Sequence, residues 1–167
     1  MNTSILTTQP QLPQKVSGDA YLKLQIDGAG QVVLSMKQVQ EVLAVPTSRL
    51  TPMPNVSACL LGLMNRRSHV LWVADLAQIL GAGYLNSSTH QCNVAIVRVG
   101  EISLGLAVQR VDGMCWLAPE EIQSLPPHVS TETIGYLLGC VLQNQQVLLV
   151  LNAESIVNSP ALHACQR

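Results

Sequence analysis

Leu60-Leu61-Gly62-Leu63-Met64-Asn65-Arg66-Arg67-Ser68-His69-Val70-Leu71-Trp72-Val73-Ala74-Asp75-Leu76 decides how this chain is read. Two apolar runs flank a short basic and polar tip, the pattern of strand, tight turn and strand. The second run ends at Asp75, whose carboxylate can cap the helix that follows. The pattern then returns at a constant offset of 77 residues. Leu137-Leu138-Gly139 falls on Leu60-Leu61-Gly62, and Val147-Leu148-Leu149-Val150 on Val70-Leu71-Trp72-Val73. Asn152 falls on Asp75 and Ile156 on Ile79. Two copies of one small β unit predict a two-lobed protein whose useful surface lies on or between the lobes.

The same order of elements runs through both halves. Tyr21 to Ile26 alternates with period two, Asp27-Gly28-Ala29-Gly30 is a turn, and Gln31 to Ser35 returns. Val39-Gln40-Glu41-Val42-Leu43 reads as a strand or a helical turn, with its neighbours favouring β, before Pro46, Pro52 and Pro54 interrupt regular structure. After the signature hairpin, a short helix from Asp75 to Leu80 is ended by Gly81. Residues 81–91 form a Gly/Asn/Ser-rich connector between the lobes, and Asn93 to Val99 opens the second. Val108-Gln109-Arg110-Val111 then echoes Val39-Gln40-Glu41-Val42, Asp112-Gly113 is a bend, and Pro119-Glu120-Glu121 starts a loop. The second hairpin turns near Asn144, and a last short helix follows Asn152 and stops by Pro160. The expected fold is all-β: two small five-stranded SH3-like barrels related by a pseudo-repeat, with a short C-terminal helix. Residues 1–18 read as a disordered leader, 19–158 as the folded domain and 159–167 as a tail.

Composition narrows the function. Of 167 residues, 48% are hydrophobic and only 11% charged, which supports a packed core and excludes a disordered chain. A net charge of -1 offers no electrostatic footprint for nucleic acid or acidic lipid. A charge-poor surface points to protein partners. No apolar run approaches the roughly 18 residues that span a bilayer, and Met1 to Asp19 lacks the basic start and apolar segment of a secretory signal. A soluble, cytoplasmic protein is expected. Cys59, Cys92, Cys115 and Cys140 read as small apolar core residues, and Cys165 lies in the tail. The four histidines show no HxxxH or HExxH spacing, so neither metal nor cofactor is expected. No Gly-x-Ser-x-Gly elbow or phosphate-binding glycine loop occurs, and catalysis is not expected.

With repeat and hairpin in place, the sequence resembles the CheW-like family of chemotaxis adaptors. The family pattern, roughly Gly-(hydrophobic)₂-Asn-Leu-Arg-Gly-x-Val-x-Pro-Val-x-Asp-Leu, is met by Gly62 to Leu76, and the upstream Val39-Gln40-Glu41-Val42 and Leu50-Thr51-Pro52-Met53-Pro54 also fit. The likeness covers about residues 20 to 158. It implies a non-catalytic adaptor that joins the cytoplasmic tip of a methyl-accepting chemoreceptor to the regulatory domain of a CheA-type histidine kinase. It implies that the groove between the barrels receives receptor helices, and that Arg67 pairs with Glu41 beside that groove. Val39 and Val42 are candidate groove residues, although spacing i, i+3 sends one of them to the core. Asn65, Arg66 and Asp75 complete the hairpin motif, with Asp75 explained as a helix N-cap. Trp72 and Trp116 read as core rather than as interface anchors.

Three departures stand out. Ser68 replaces the hairpin Gly, at a cost of about 1 kcal/mol where φ is positive. Trp72 replaces a Pro, and Arg66 replaces an apolar residue. They suggest a divergent adaptor. The alternatives are a CheW-like scaffold of a type IV pilus or other non-flagellar pathway, a β-barrel peptide-binding module outside signalling, and a thiol-dependent enzyme.

Overall fold

The structure, a computed structural model, describes residues 17–27, 30–86 and 88–163. The predicted leader lies almost wholly outside the described residues, as do Gly28 and Ala29 of the first turn. The strands are β1 (Asp19–Ile26), β2 (Gly30–Ser35), β3 (Val39–Pro46), β4 (Leu60–Arg66), β5 (His69–Asp75), β6 (Gln91–Val99), β7 (Ile102–Val108), β8 (Arg110–Leu117), β9 (Leu137–Gln143) and β10 (Gln146–Leu151). The helices are short: α1 (Leu76–Ile79), α2 (Thr131–Ile134), α3 (Ala153–Val157) and α4 (Pro160–His163). Asp75 caps α1 by accepting from the Ala77 N–H, and Asn152 caps α3 by accepting from Glu154 and Ser155.

The strands form two five-stranded sheets, in the orders β8-β1-β2-β10-β9 and β3-β6-β7-β5-β4. Each sheet curls into a half-barrel. The chain beyond one edge strand bridges to the other edge: Thr51, following β3, exchanges backbone hydrogen bonds with Leu63 of β4. Gln123, following β8, does the same with Cys140 of β9. All-β lobes related by a pseudo-repeat are therefore present.

Their composition differs from the linear reading. Hairpin β1–β2, which begins the first repeat, lies between β8 and the β10–β9 pair of the second, while β6–β7 joins β3, β4 and β5. The repeats have exchanged their first hairpins. So Asn93 does not open the second lobe, and the 81–91 connector joins α1 to β6 within one lobe rather than linking the two. The predicted tail also begins too early. Ser159 is fully buried, its Oγ lies 2.6 Å from Tyr136 Oη, and Ala161 and Leu162 of α4 pack on the core.

The exchange determines where the core sits. One apolar cluster fills each half-barrel: Val45, Met64, Leu71, Val73, Val94 and Ile96 in one, Tyr21, Val33, Leu117, Val141, Leu148 and Val150 in the other. A third and larger cluster lies between the lobes, where Leu22, Leu24 and Leu34 meet Ala95, Val97, Leu104 and Leu106, closed by α1 and α3. The exchanged hairpins are thus buried on both faces. That is why Val32-Val33-Leu34 and Val94-Ala95-Ile96-Val97 are unbroken apolar runs.

The repeat extends to individual backbone bonds. The Asp75 N–H donates to Cys59 O at 2.7 Å, and its counterpart Asn152 donates to Tyr136 O at 2.8 Å. Arg67 and Ser68 have φ of 49° and 65°, and their counterparts Asn144 and Gln145 have 51° and 64°, the positive pair of a type I′ hairpin. Gly62 (φ 145°) and Gly139 (φ 159°) each lie where a Cβ would come within 2.5 Å of a backbone oxygen, that of Thr51 or Gln123. Asp112 and Gly113 do not end a strand. They sit at an irregularity of β8, where the register against β1 slips between Leu22 and Leu24. Trp116, expected in the core, projects outward on edge strand β8 with 44% of its surface exposed, while its neighbours Cys115 and Leu117 point inward.

Gly62→Ala should lower stability by about 2–4 kcal/mol, because the added methyl meets backbone that cannot swing aside. Gly135→Ala, whose Cβ would meet nothing within 4 Å, is the matched control and should change little. Urea unfolding checks both. Ser68→Gly should raise stability by about 0.5–1 kcal/mol by relieving the left-handed conformation at the turn. Thermal melting of the two proteins measures it.

Candidate functional site

The β4–β5 hairpin carries its tip to the rim of an open cleft of 800 Å³. Glu41 comes from β3, Arg66 from the end of β4, Arg67 from the turn and Val70 from β5. Arg98 of β6, Glu101 of the β6–β7 turn and Ile102 of β7 form the opposite wall. All of these belong to one lobe. The expected groove between the barrels is therefore corrected for these charges, since the deep space between the sheets is filled by the central apolar cluster.

Glu41 is brought to both arginines of the hairpin, but unequally. Arg66 takes it side-on: Nε donates to Oε2 at 3.0 Å while Nη2 bonds Oε1. Arg67 Nη2 stands 3.7 Å from that same Oε1. Two parallel N–H···O bonds from one planar guanidinium are the stronger arrangement. The Arg66 hydrogen bond holds the Glu41 carboxyl below its usual range, against a smaller opposing effect of desolvation, and the charges of Arg66 and Arg67 add to the lowering. The same bond raises the Arg66 guanidinium.

Val39 and Val42 do not line this cleft. Val39 is half-buried against the central cluster and Val42 is exposed on another part of β3. Asn65 is exposed at the end of β4. Asp75 is 1% exposed and lies away from the cleft, accepting from the Ala77 N–H, Gln78 Nε2 and the Leu85 N–H. It fastens the connector, at Leu85, to the start of α1. The apolar lining comes from Val70, Leu71, Ile96 and Ile102, of which the sequence reading named none as site residues. A signal for the second wall was available: Arg98 and Glu101 flank the Gly100 turn in a chain with few charges.

A second, more apolar furrow of 340 Å³ continues from the cleft, sharing Ile102 and Ser103 with it. Leu60, Trp72 and Leu104 form one side, and Val157 and Leu162 of the C-terminal helices form the other. Trp72 is half-buried here, opposite Leu63 on β4 and Leu104 on β7, so it is both packed and partly displayed. The combined surface has a charged half and an apolar half. Among the described residues, no group of three or more His, Cys, Asp or Glu side chains could hold a metal ion. Cys59, Cys92, Cys115 and Cys140 are all buried and free. Burial pushes the Cys92 and Cys115 thiols up, the direction opposite to that of an activated nucleophile.

Comparison with known proteins places this architecture. The family model of the CheW-like domain matches residues 22–161. The chain belongs to the CheW-like family. The chemotaxis protein CheW of Treponema pallidum (strain Nichols) is 24% identical over 127 residues, which cover 74% of each chain. The crystal structure of the scaffolding protein TtCheW from Thermoanaerobacter tengcongensis superimposes with a TM-score of 0.74 at 17% identity, covering 89% of this chain and 99% of that one. The exchanged-hairpin arrangement is thus a CheW-like fold carried by a divergent sequence.

The contribution of the Arg66–Glu41 pair to stability is present above the unfolded-state pKa of Glu41 and is lost as pH falls through its lowered folded-state value. The urea midpoint of the wild-type protein should exceed that of Glu41→Gln at neutral pH. The gap should close on acidification below about pH 4. A gap that widens in acid would reverse the assignment.

Proposed function

We propose that this CheW-like chain is a non-catalytic adaptor in chemotaxis-type signal transduction, linking a chemoreceptor's cytoplasmic tip to the regulatory domain of a CheA-type histidine kinase. The observation that carries the reading is the continuous surface formed by the charged cleft and the apolar furrow, meeting at Ile102 and Ser103. A helical partner needs apolar pockets for its anchors and a polar rim that sets its register. Both lie side by side here, on strands, two tight turns and the C-terminal helices. Membership of the CheW-like family, and likeness to a chemotaxis protein CheW and to a CheW scaffolding protein, support the same reading.

The proposed mechanism is joint binding. Each contact is modest, but an adaptor held by one partner presents itself to the other at high effective concentration. A receptor tip with two conformations then biases the kinase through the adaptor by its differential affinity for them. The rigid, shared core suits that task, because a strain applied at one lobe is not absorbed by hinge motion between lobes. No helix among the described residues is long and apolar enough to cross a membrane, so the attachment to receptor arrays is proposed to run through partners.

Co-sedimentation of the purified chain with the receptor fragment and the kinase regulatory domain encoded in the same genome should yield a ternary complex. Ile102→Asp should weaken the receptor arm by about tenfold, the loss expected for one exposed apolar anchor, while sparing the kinase arm and the urea midpoint. Absence of binding to either partner would reject the adaptor reading.

A further inference from the structure

The cleft holds three arginines against two glutamates, and their pairing is uneven. Arg98 and Glu101 face each other across the β6–β7 turn, 3.7 Å apart. Arg66 occupies both oxygens of Glu41. Arg67 is left with a long contact to an oxygen that already accepts from Arg66, and its side chain is 77% exposed. Beside it Val70 and Ile102 are 65% and 51% exposed, large apolar side chains with water where a neighbour would be. Positive φ at both Arg67 and Ser68 fixes this turn, so Arg67 is presented from a defined backbone and not from a loose loop.

We propose that Arg66 is a positioning residue which keeps Glu41 occupied, and that Arg67, released by it, pairs with a carboxylate on the docked segment. The segment that fits is a helix bearing an Asp or Glu next to apolar residues, with the acid on Arg67 and the apolar side chains on Val70 and Ile102. This rests on the reading of the cleft as the receptor-docking surface and adds the chemistry that the partner must carry. The two arginines compete for one acid. Remove Arg66, and Glu41 has only Arg67 to accept from, 3.7 Å away. An incoming carboxylate would then have to displace Glu41. Keep Arg66, and Arg67 meets that carboxylate without breaking an internal pair.

The test measures affinity of the full chain for the receptor cytoplasmic fragment by calorimetry, with each acidic residue of the fragment's tip changed in turn to Lys. Arg67→Glu should weaken binding about tenfold, as for a charge pair turned repulsive. One Lys-bearing fragment should bind Arg67→Glu well and the wild-type chain poorly. Arg66→Leu should also weaken binding, and adding Glu41→Gln to it should restore affinity, a rescue that a purely structural role for Arg66 would not give. Arg67→Gln serves as a second variant free of the reversed charge, and should weaken binding less than Arg67→Glu. Wild-type binding that is indifferent to Arg67→Glu, or an Arg66→Leu defect that Glu41→Gln leaves uncorrected, overturns the inference while leaving the adaptor reading in place. A wild-type chain that does not bind the fragment at all overturns both.

Discussion

The exchange of the first hairpins is the constraint on which the molecule depends. β1–β2 and β6–β7 each present one face to a half-barrel interior and the other to the central cluster. A two-stranded hairpin alone is marginal in water; buried on both faces, each becomes the wall of two cores at once. Fully burying a Leu or Val side chain contributes about 1.5–3 kcal/mol, and the central cluster gathers such residues from both repeats. Neither repeat can complete its sheet without the other. The two lobes therefore form one folding unit despite their internal symmetry, and the proposed docking surface is laid on that shared core.

Duplication also explains why certain backbone features occur twice. A barrel this small brings β4 and β9 hard against the chain that crosses each edge. Gly62 and Gly139 supply that approach, since any Cβ there would overlap a carbonyl. The hairpins beyond them turn with the same pair of positive φ angles, yet carry unlike residues: Arg67-Ser68 in one and Asn144-Gln145 in the other. Asn144 suits that conformation while Gln145 bears its cost, whereas in the first turn Arg67 and Ser68 both bear it. The first turn therefore keeps residues that are locally unfavourable, at the place where the cleft has its charges. Local rules are broken where function is proposed, and the repeat supplies the internal reference that makes the breach visible.

Much of the fold was legible because its signals are local. Two apolar runs about a tight turn, Asp75 and Asn152 before short helices, and a constant offset of 77 all act over a few residues or repeat in register. Which hairpin joins which sheet is not of that kind. The runs through Val94 and Val32 say that both faces are buried, but not by what, so chain order alone puts Asn93 at the start of a lobe it only borders. Trp116 departs from its expected core position for a related reason: alternation along β8 fixes which residues share a face, while the edge position of the strand decides that one face meets water. The site divided in the same way. The motif brought out Glu41, Arg66 and Arg67, but the wall contributed by Arg98, Glu101 and Ile102 arrives from the other repeat through the exchange, beyond the reach of motif spacing.

The same exchange has a consequence for how a charge-poor chain can be selective. With few ionic groups, most of the surface can neither attract nor repel a partner strongly. The cleft concentrates five charged side chains where a β3 residue of the first repeat meets β6 and β7 of the second. Because strands from both repeats build it, the distances between those charges are set by the shared core and not by side-chain flexibility alone. Exposed ion pairs on a compliant surface contribute about 0–1 kcal/mol and discriminate little. The bidentate Arg66–Glu41 pair is the most constrained of these charges, and a constrained charge acts chiefly by excluding wrong partners. In the proposed adaptor, with its individually modest contacts, rejection of the wrong helix matters as much as attraction of the right one. The rigid pairing of Arg66 with Glu41 is the element that holds this pattern in place.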